Sequence, residues 1–110
     1  MDEDRRGHFR VPGPFDGKRI DALETPVRIY DLSEGGCFIT SFQESERGRQ
    51  FTLKIDLPYE GWIMVKAQTL YGKPGFGFAV RFTEMSEETR TRLDLGLEKL
   101  RARAPHEGEE

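Results

Sequence analysis

The strict alternation of apolar and polar residues from Phe51 to Leu57 constrains the fold more than any other feature of this chain. The apolar members are Phe51, Leu53, Ile55 and Leu57, and Thr52, Lys54 and Asp56 separate them. Because successive side chains of a strand point to opposite faces, this pattern predicts a β-strand with one buried face. It is the clearest strand in the sequence.

Strand character recurs on both sides of this segment. The further segments are 27–32, 37–40, 62–71 and 76–82, and glycine or proline stands between them at each turn. In the last segment the apolar residues Phe76, Phe78, Val80 and Phe82 alternate with smaller or charged ones. We expect Trp62 and these phenylalanines to belong to the core rather than to a base-stacking surface.

The C-terminal third predicts a helix that begins after Ser86, a residue typical of the N-cap. Glu87 and Glu88 follow in the first turn, and Arg101 and Arg103 lie in the last turn, where the helix dipole favours these charges. Leucines at helical spacing give the helix a narrow apolar stripe made of Leu93, Leu97 and Leu100. Five or six short antiparallel strands and one helix predict an all-β fold, a small antiparallel β-barrel with a C-terminal α-helix.

The domain organisation follows from these segments. Residues 1–17 are expected to form a flexible N-terminal arm, because prolines and glycines accompany only scattered apolar side chains there. Residues 18–103 would form the barrel and its helix, and residues 104–110 an acidic tail. A length of 110 residues fits one compact domain.

Composition excludes several classes of protein. The longest apolar run is Trp62–Val65, far short of the ~20 residues of a membrane-spanning helix. The charged N-terminus does not resemble a signal peptide, and the single Cys37 cannot form an internal disulfide, so we expect a cytoplasmic protein. A net charge of -3 disfavours a general DNA binder, although positive charge is concentrated near the start of the chain.

Two clusters of polar residues are candidates for function. The first places Arg5, Arg6 and Arg10 on the glycine-containing arm, with Arg6 and Arg10 in an R-x-x-x-R spacing. Guanidinium groups bind phosphates bidentately and stack on aromatic bases. The alternative is a solvated basic arm without a ligand.

The second cluster is the D-x-S-x-x-G pattern formed by Asp31, Ser33 and Gly36 between two predicted strands. A carboxylate accepts from paired N–H donors, a hydroxyl donates or accepts, and glycine lets a ligand approach the backbone. The same residues would also be chosen for a tight hairpin alone, because Asp and Ser bond to nearby backbone groups. The residue types leave both readings open.

Together the two clusters resemble those of the PilZ domain family, in which R-x-x-x-R precedes D/N-x-S-x-x-G by some twenty residues. Here 20 residues separate Arg10 from Asp31. The likeness extends over nearly the whole chain, to a later strand at 77–82 similar to the closing G-x-x-F segment of the family. It implies a small β-barrel that binds the bacterial second messenger cyclic di-GMP, without any other cofactor.

The resemblance also implies a set of ligand-binding residues, which are Arg5, Arg6, Arg10, Asp31, Ser33 and Gly36. Arg6 and Arg10 would hold the phosphates and contact the guanines. Asp31 would accept from guanine N1–H and the exocyclic amine, Ser33 would add a hydroxyl contact, and Gly36 would keep the turn free of a side chain. Arg5 is similar to an additional arginine that accompanies the binding of two stacked ligand molecules.

We expect a receptor rather than an enzyme, because no Cys/His pair or metal-ligand spacing occurs. Ligand binding would draw the arm onto the barrel and change a surface that a downstream protein recognises. Two alternatives remain open: a small barrel that binds single-stranded nucleic acid, which the net charge disfavours, and a ligand-free PilZ scaffold for protein contacts.

Overall fold

A computed structural model of the protein describes residues 10–103. Six antiparallel strands form a closed barrel in the order β1-β2-β3-β6-β5-β4, and one helix follows them. The elements are β1 (Phe15–Ile20), β2 (Glu24–Tyr30), β3 (Gly36–Thr40), β4 (Gln50–Leu57), β5 (Gly61–Lys73), β6 (Gly77–Glu84) and α1 (Glu87–Arg103). The predicted fold class is confirmed.

Alternation along the strands fills the barrel with apolar side chains. In β4 the side chains of Leu53 and Ile55 are fully buried, and in β5 Ile63, Val65 and Ala67 point into the same core. The intervening residues of both strands face outward. Burial of these side chains is the main source of stability for a barrel of this size.

β1 lies where the sequence predicted the end of the arm. The predicted boundary after Gly17 falls inside this strand, which pairs with β2 on one side and β4 on the other. Its inward positions are occupied by Phe15, Gly17 and Arg19, so the glycine and the arginine conceal the apolar alternation. Gly17 is required there, since a Cβ would lie 2.9 Å from the backbone carbonyl oxygen of Lys54 and would also overlap the side chain of Ile29.

Two aromatic residues predicted for the core lie on the surface instead. Trp62 is 44% exposed and Phe76 is 71% exposed. Trp62 occupies an outward position of β5, where the Lys18 ammonium lies 5.4 Å from its ring centroid. Phe76 precedes β6 and belongs to the turn, so the inward alternation begins only at Phe78.

The helix α1 packs its leucines against the barrel, as its apolar stripe predicted. Leu93 and Leu97 are fully buried and Leu100 is partly buried. The Ser86 hydroxyl accepts from the backbone N–H of Thr89 at 3.0 Å and so caps the helix. No helix between residues 10 and 103 is both long and apolar enough to cross a bilayer.

An arginine is buried inside the barrel at the end opposite the helix. Arg19 is 5% exposed, and its guanidinium carbon lies 4.5 Å from the ring centroid of Phe51. Its Nη2 donates to Asp21 Oδ2 at 3.3 Å, and Arg49 Nη2 donates to the same oxygen at 2.6 Å. Within residues 10–103, Arg19 Nε and Nη1 have no hydrogen-bond partner, so Asp21 is its principal counter-charge.

Asp21→Asn is expected to destabilise the barrel at neutral pH. The hydrogen bond from Arg49 holds the pKa of Asp21 below its ordinary value of 3.8. Because this pKa is lower in the folded state, the carboxylate contributes stability above about pH 4 that is lost as the pH falls through the folded-state pKa. Thermal unfolding of both proteins across the acid range measures the effect.

The control for this prediction is Asp16→Asn, since Asp16 pairs with Arg28 at 3.4 Å on the exposed outer face of the barrel. This substitution should not change how the stability falls as the pH is lowered through the acid range. If the stability of Asp21→Asn falls with decreasing pH as steeply as that of the wild type, Asp21 is not the source of this pH dependence.

Candidate functional site

The D-x-S-x-x-G residues form a tight turn between β2 and β3. Asp31 has a φ of 55°, in the left-handed region that Asp tolerates better than most residues. The backbone N–H of Ser33 donates to the carbonyl of Gly36 at 2.9 Å. The Ser33 hydroxyl donates to the same carbonyl at 3.3 Å and accepts from the N–H of Gly35 at 3.4 Å. Ser33 therefore holds the shape of the turn from a buried position.

Gly36 has a packing role that the sequence did not reveal. It pairs with Arg81 of β6, and a Cβ at position 36 would overlap the carbonyl oxygen of Val80. By contrast, a Cβ at Gly35 would meet nothing within 4 Å. The motif glycine is thus required for the close approach of β3 to β6, whatever binds outside.

The end of the arm is joined to this turn through the backbone. Val11 and Leu32 form an antiparallel bridge with N–H to O distances of 2.8 and 2.9 Å. The N–H of Asp31 donates to the carbonyl of Pro12 at 3.2 Å. These bonds bring two regions that are about twenty residues apart in sequence into direct contact.

Arg10 and Asp31 consequently lie side by side. Arg10 Nη1 donates to the backbone carbonyl of Asp31 at 3.1 Å, and both residues are exposed. Within residues 10–103 the carboxylate of Asp31 makes no hydrogen bond or ion pair. A cationic fork and an acceptor pair are therefore available together at the surface. Arg5 and Arg6, the other predicted arginines, lie outside the described residues.

Cys37 lies directly behind the turn and is 3% exposed. Burial raises the pKa of its thiol, and the positive charge of nearby Arg10 offsets only part of that increase. The neutral thiol is a core group and lacks the thiolate character of a reactive cysteine. Residues 10–103 contain no group of three His, Cys, Asp or Glu side chains arranged to hold a metal ion.

The turn is also tied to the C-terminal helix, which sequence reasoning missed. Arg101 donates from Nη1 and Nη2 to the two carboxylate oxygens of Glu34, at 2.7 and 3.2 Å. Arg90 Nη1 donates to the backbone carbonyl of Glu34 at 3.0 Å. Since 67 positions separate Glu34 from Arg101 in the chain, no local pattern signals this contact.

Comparison with known proteins identifies the family. The family model for the PilZ domain matches residues 4–99. This chain belongs to the PilZ domain family. A search of curated protein sequences finds no match. The family assignment agrees with the resemblance of the two motifs, and the barrel described above is a PilZ fold.

Solved structures similar to this PilZ domain share its fold. The PilZ domain of YcgR from Escherichia coli with c-di-GMP matches with a TM-score of 0.68 and 17% identity, over 93% of this chain and 94% of that one. The Bacillus subtilis inhibitor of motility MotI/DgrA matches with a TM-score of 0.71 and 18% identity, over 93% and 54%. YcgR from Escherichia coli in complex with c-di-GMP matches with a TM-score of 0.71 and 21% identity, over 91% of this chain and 46% of that one. This chain thus spans about half of the last two proteins.

Gly36→Ala is expected to lower the free energy of unfolding by about 1–3 kcal/mol, because the added Cβ forces apart two paired backbones. Gly35→Ala is the matched control and should change stability by less than about 0.5 kcal/mol, since its Cβ meets open space. Denaturant unfolding of the two variants measures the difference. Equal stability of the two would mean that the turn does not need glycine at position 36.

Proposed function

We propose that this PilZ domain is a receptor for cyclic di-GMP, and not an enzyme, and that it signals to a downstream protein when the ligand draws the arm onto the barrel. The observation that supports this most directly is the contact between Arg10 and the turn at Asp31, at 3.1 Å. It joins the two family motifs at one exposed place. The YcgR structures with c-di-GMP have the same fold.

The proposed roles follow from the chemistry of each side chain. Arg6 and Arg10 bind the two phosphates and stack on or donate to the guanines. Asp31 accepts from N1–H and the exocyclic amine of guanine, a donor pair that adenine lacks. Arg5 supports a second, stacked ligand molecule.

The structure supports a mainly structural role for the other two motif residues, Ser33 and Gly36. The Ser33 hydroxyl already makes two hydrogen bonds within the turn, and a Cβ at Gly36 would overlap β6. We therefore assign Ser33 and Gly36 mainly to the shape of the turn. That shape presents the carboxylate of Asp31 beside the arm.

Calorimetric titration with cyclic di-GMP tests the proposal. Arg6→Ala, Arg10→Ala and Asp31→Ala should each weaken binding by about tenfold or more, because each removes a charged hydrogen-bonding group. Arg28→Ala is a matched control, since Arg28 is an exposed arginine of β2 whose side chain pairs with Asp16 of β1. It should bind like the wild type.

The same titration separates the alternatives. A single-stranded nucleic-acid binder would bind oligonucleotides at least as tightly as cyclic di-GMP, with a steep salt dependence. A ligand-free scaffold would show no heat with either. Wild-type protein that fails to bind cyclic di-GMP at high micromolar concentration would contradict the proposed function.

Ordering of the arm is the proposed switch. Hydrogen exchange of the backbone amides from Arg5 to Arg10 should slow when cyclic di-GMP binds, because the ligand holds the arginines against the barrel. Amides in β4 serve as the internal control and should not change. Identical protection of the arm with and without ligand would rule out this mechanism.

A further inference from the structure

A second exposed arginine stands next to the turn, on the outer face of the neighbouring strands. Arg81 of β6 is paired in register with Gly36 of β3 on one side and with Gln68 of β5 on the other. Arg81 is exposed, whereas its neighbour Val80 points into the core. The strand register therefore places the Arg81 side chain on the outside of the barrel, adjacent to the motif.

This arginine is held in position but keeps donors free. Its Nε and Nη2 both donate to Gln68 Oε1, at 3.1 and 2.9 Å. Because that partner is a neutral amide, the positive charge of Arg81 has no carboxylate in contact within residues 10–103. Nη1 has no hydrogen-bond partner in the same part of the chain. The guanidinium thus offers one free, oriented edge.

The strand order brings the backbone of Arg81 within the span of one base from the turn at Asp31. Two strand spacings of about 4.8 Å separate β2 from β6 across β3, so the two backbones lie on the order of 10 Å apart. Position 36 between them carries no side chain, because it is glycine. A planar base could therefore meet Asp31 with its Watson–Crick edge and Arg81 with the adjacent edge that carries O6 and N7.

We propose that Arg81 is a further specificity-determining residue of the site and that it donates to O6 and N7 of the guanine whose Watson–Crick edge Asp31 binds. This inference depends on the proposed function. O6 and N7 of guanine form a pair of acceptors that matches an arginine fork, whereas adenine presents a donor at the corresponding exocyclic position. Gln68 is a positioning residue that orients the fork.

The test compares cyclic di-GMP with an analogue in which 7-deazaguanine replaces both guanines, so that the N7 acceptor is absent. For the wild type, removal of N7 should weaken binding by about tenfold. Arg81→Met should weaken binding of cyclic di-GMP by a similar factor. Removal of N7 should then weaken its binding much less than it weakens binding of the wild type, since the group that contacts N7 of this guanine is gone.

Two further variants separate orientation from charge. Arg81→Lys keeps the charge but lacks the planar fork, so it should remain about fivefold weaker than the wild type for cyclic di-GMP. Gln68→Met leaves Arg81 in place without its support and should reduce the preference for cyclic di-GMP over the 7-deaza analogue. Arg28→Met is the control, since it removes an exposed arginine of the same charge whose partner is Asp16. It should match the wild type with both ligands.

The possible outcomes are distinct. Wild-type affinity of Arg81→Met for cyclic di-GMP would overturn the role of Arg81 and leave the proposed function intact. An equal 7-deaza effect in the wild type and in Arg81→Met would also overturn it, because Arg81 would then not contact N7. Failure of the wild type to bind cyclic di-GMP at all would overturn the proposed function and this inference together.

Discussion

Hydrogen bonding between the first and the fourth strand closes the barrel, and the location of the candidate site depends on that closure. Gly17 pairs with Ile55 and Ile20 with Thr52, so β1 has a partner on each side. The segment that precedes β1 must therefore leave the barrel beside the end of β2. The bridge between Val11 and Leu32 extends the same β1–β2 pairing. Closure of the sheet thus places the arm next to the motif turn.

The turn shows how one short motif serves both the fold and the site. Ser33 and Gly36 satisfy the backbone and the packing of the turn, which is the purely structural reading of the pattern. The side chains that the fold leaves unused are the carboxylate of Asp31 and most of the Arg10 guanidinium. The two readings are therefore compatible, because different residues of the same motif carry them.

Local periodicity correctly predicted the strands and the helix whose buried face consists almost entirely of apolar side chains. β4, β5 and the leucine stripe of α1 are of this kind. It failed for β1, whose inward positions include Gly17 and Arg19, and for Trp62 and Phe76, whose exposure depends on where a strand begins. Non-local contacts such as Glu34 with Arg101 depend on tertiary packing and leave no trace in a short window of sequence.

The same distinction applies to the site. The juxtaposition of Arg10 with Asp31 was expected from the resemblance to a family and not from the residue types, which allowed a plain hairpin. The pair formed by Arg81 and Gln68 could not be expected at all, because it requires the register of β6 against β5, where the pairing shifts at bulges. Propensity and spacing do not determine such shifts.

The burial of Cys37 gives the molecule a built-in chemical probe. It is the chain's single cysteine and is 3% exposed, near the start of β3 and directly behind the turn. A thiol-alkylating reagent reaches its sulfur only when the structure around β3 opens or the whole barrel unfolds. The rate of alkylation under native conditions therefore reports how often this wall of the barrel opens, without any label or engineered residue.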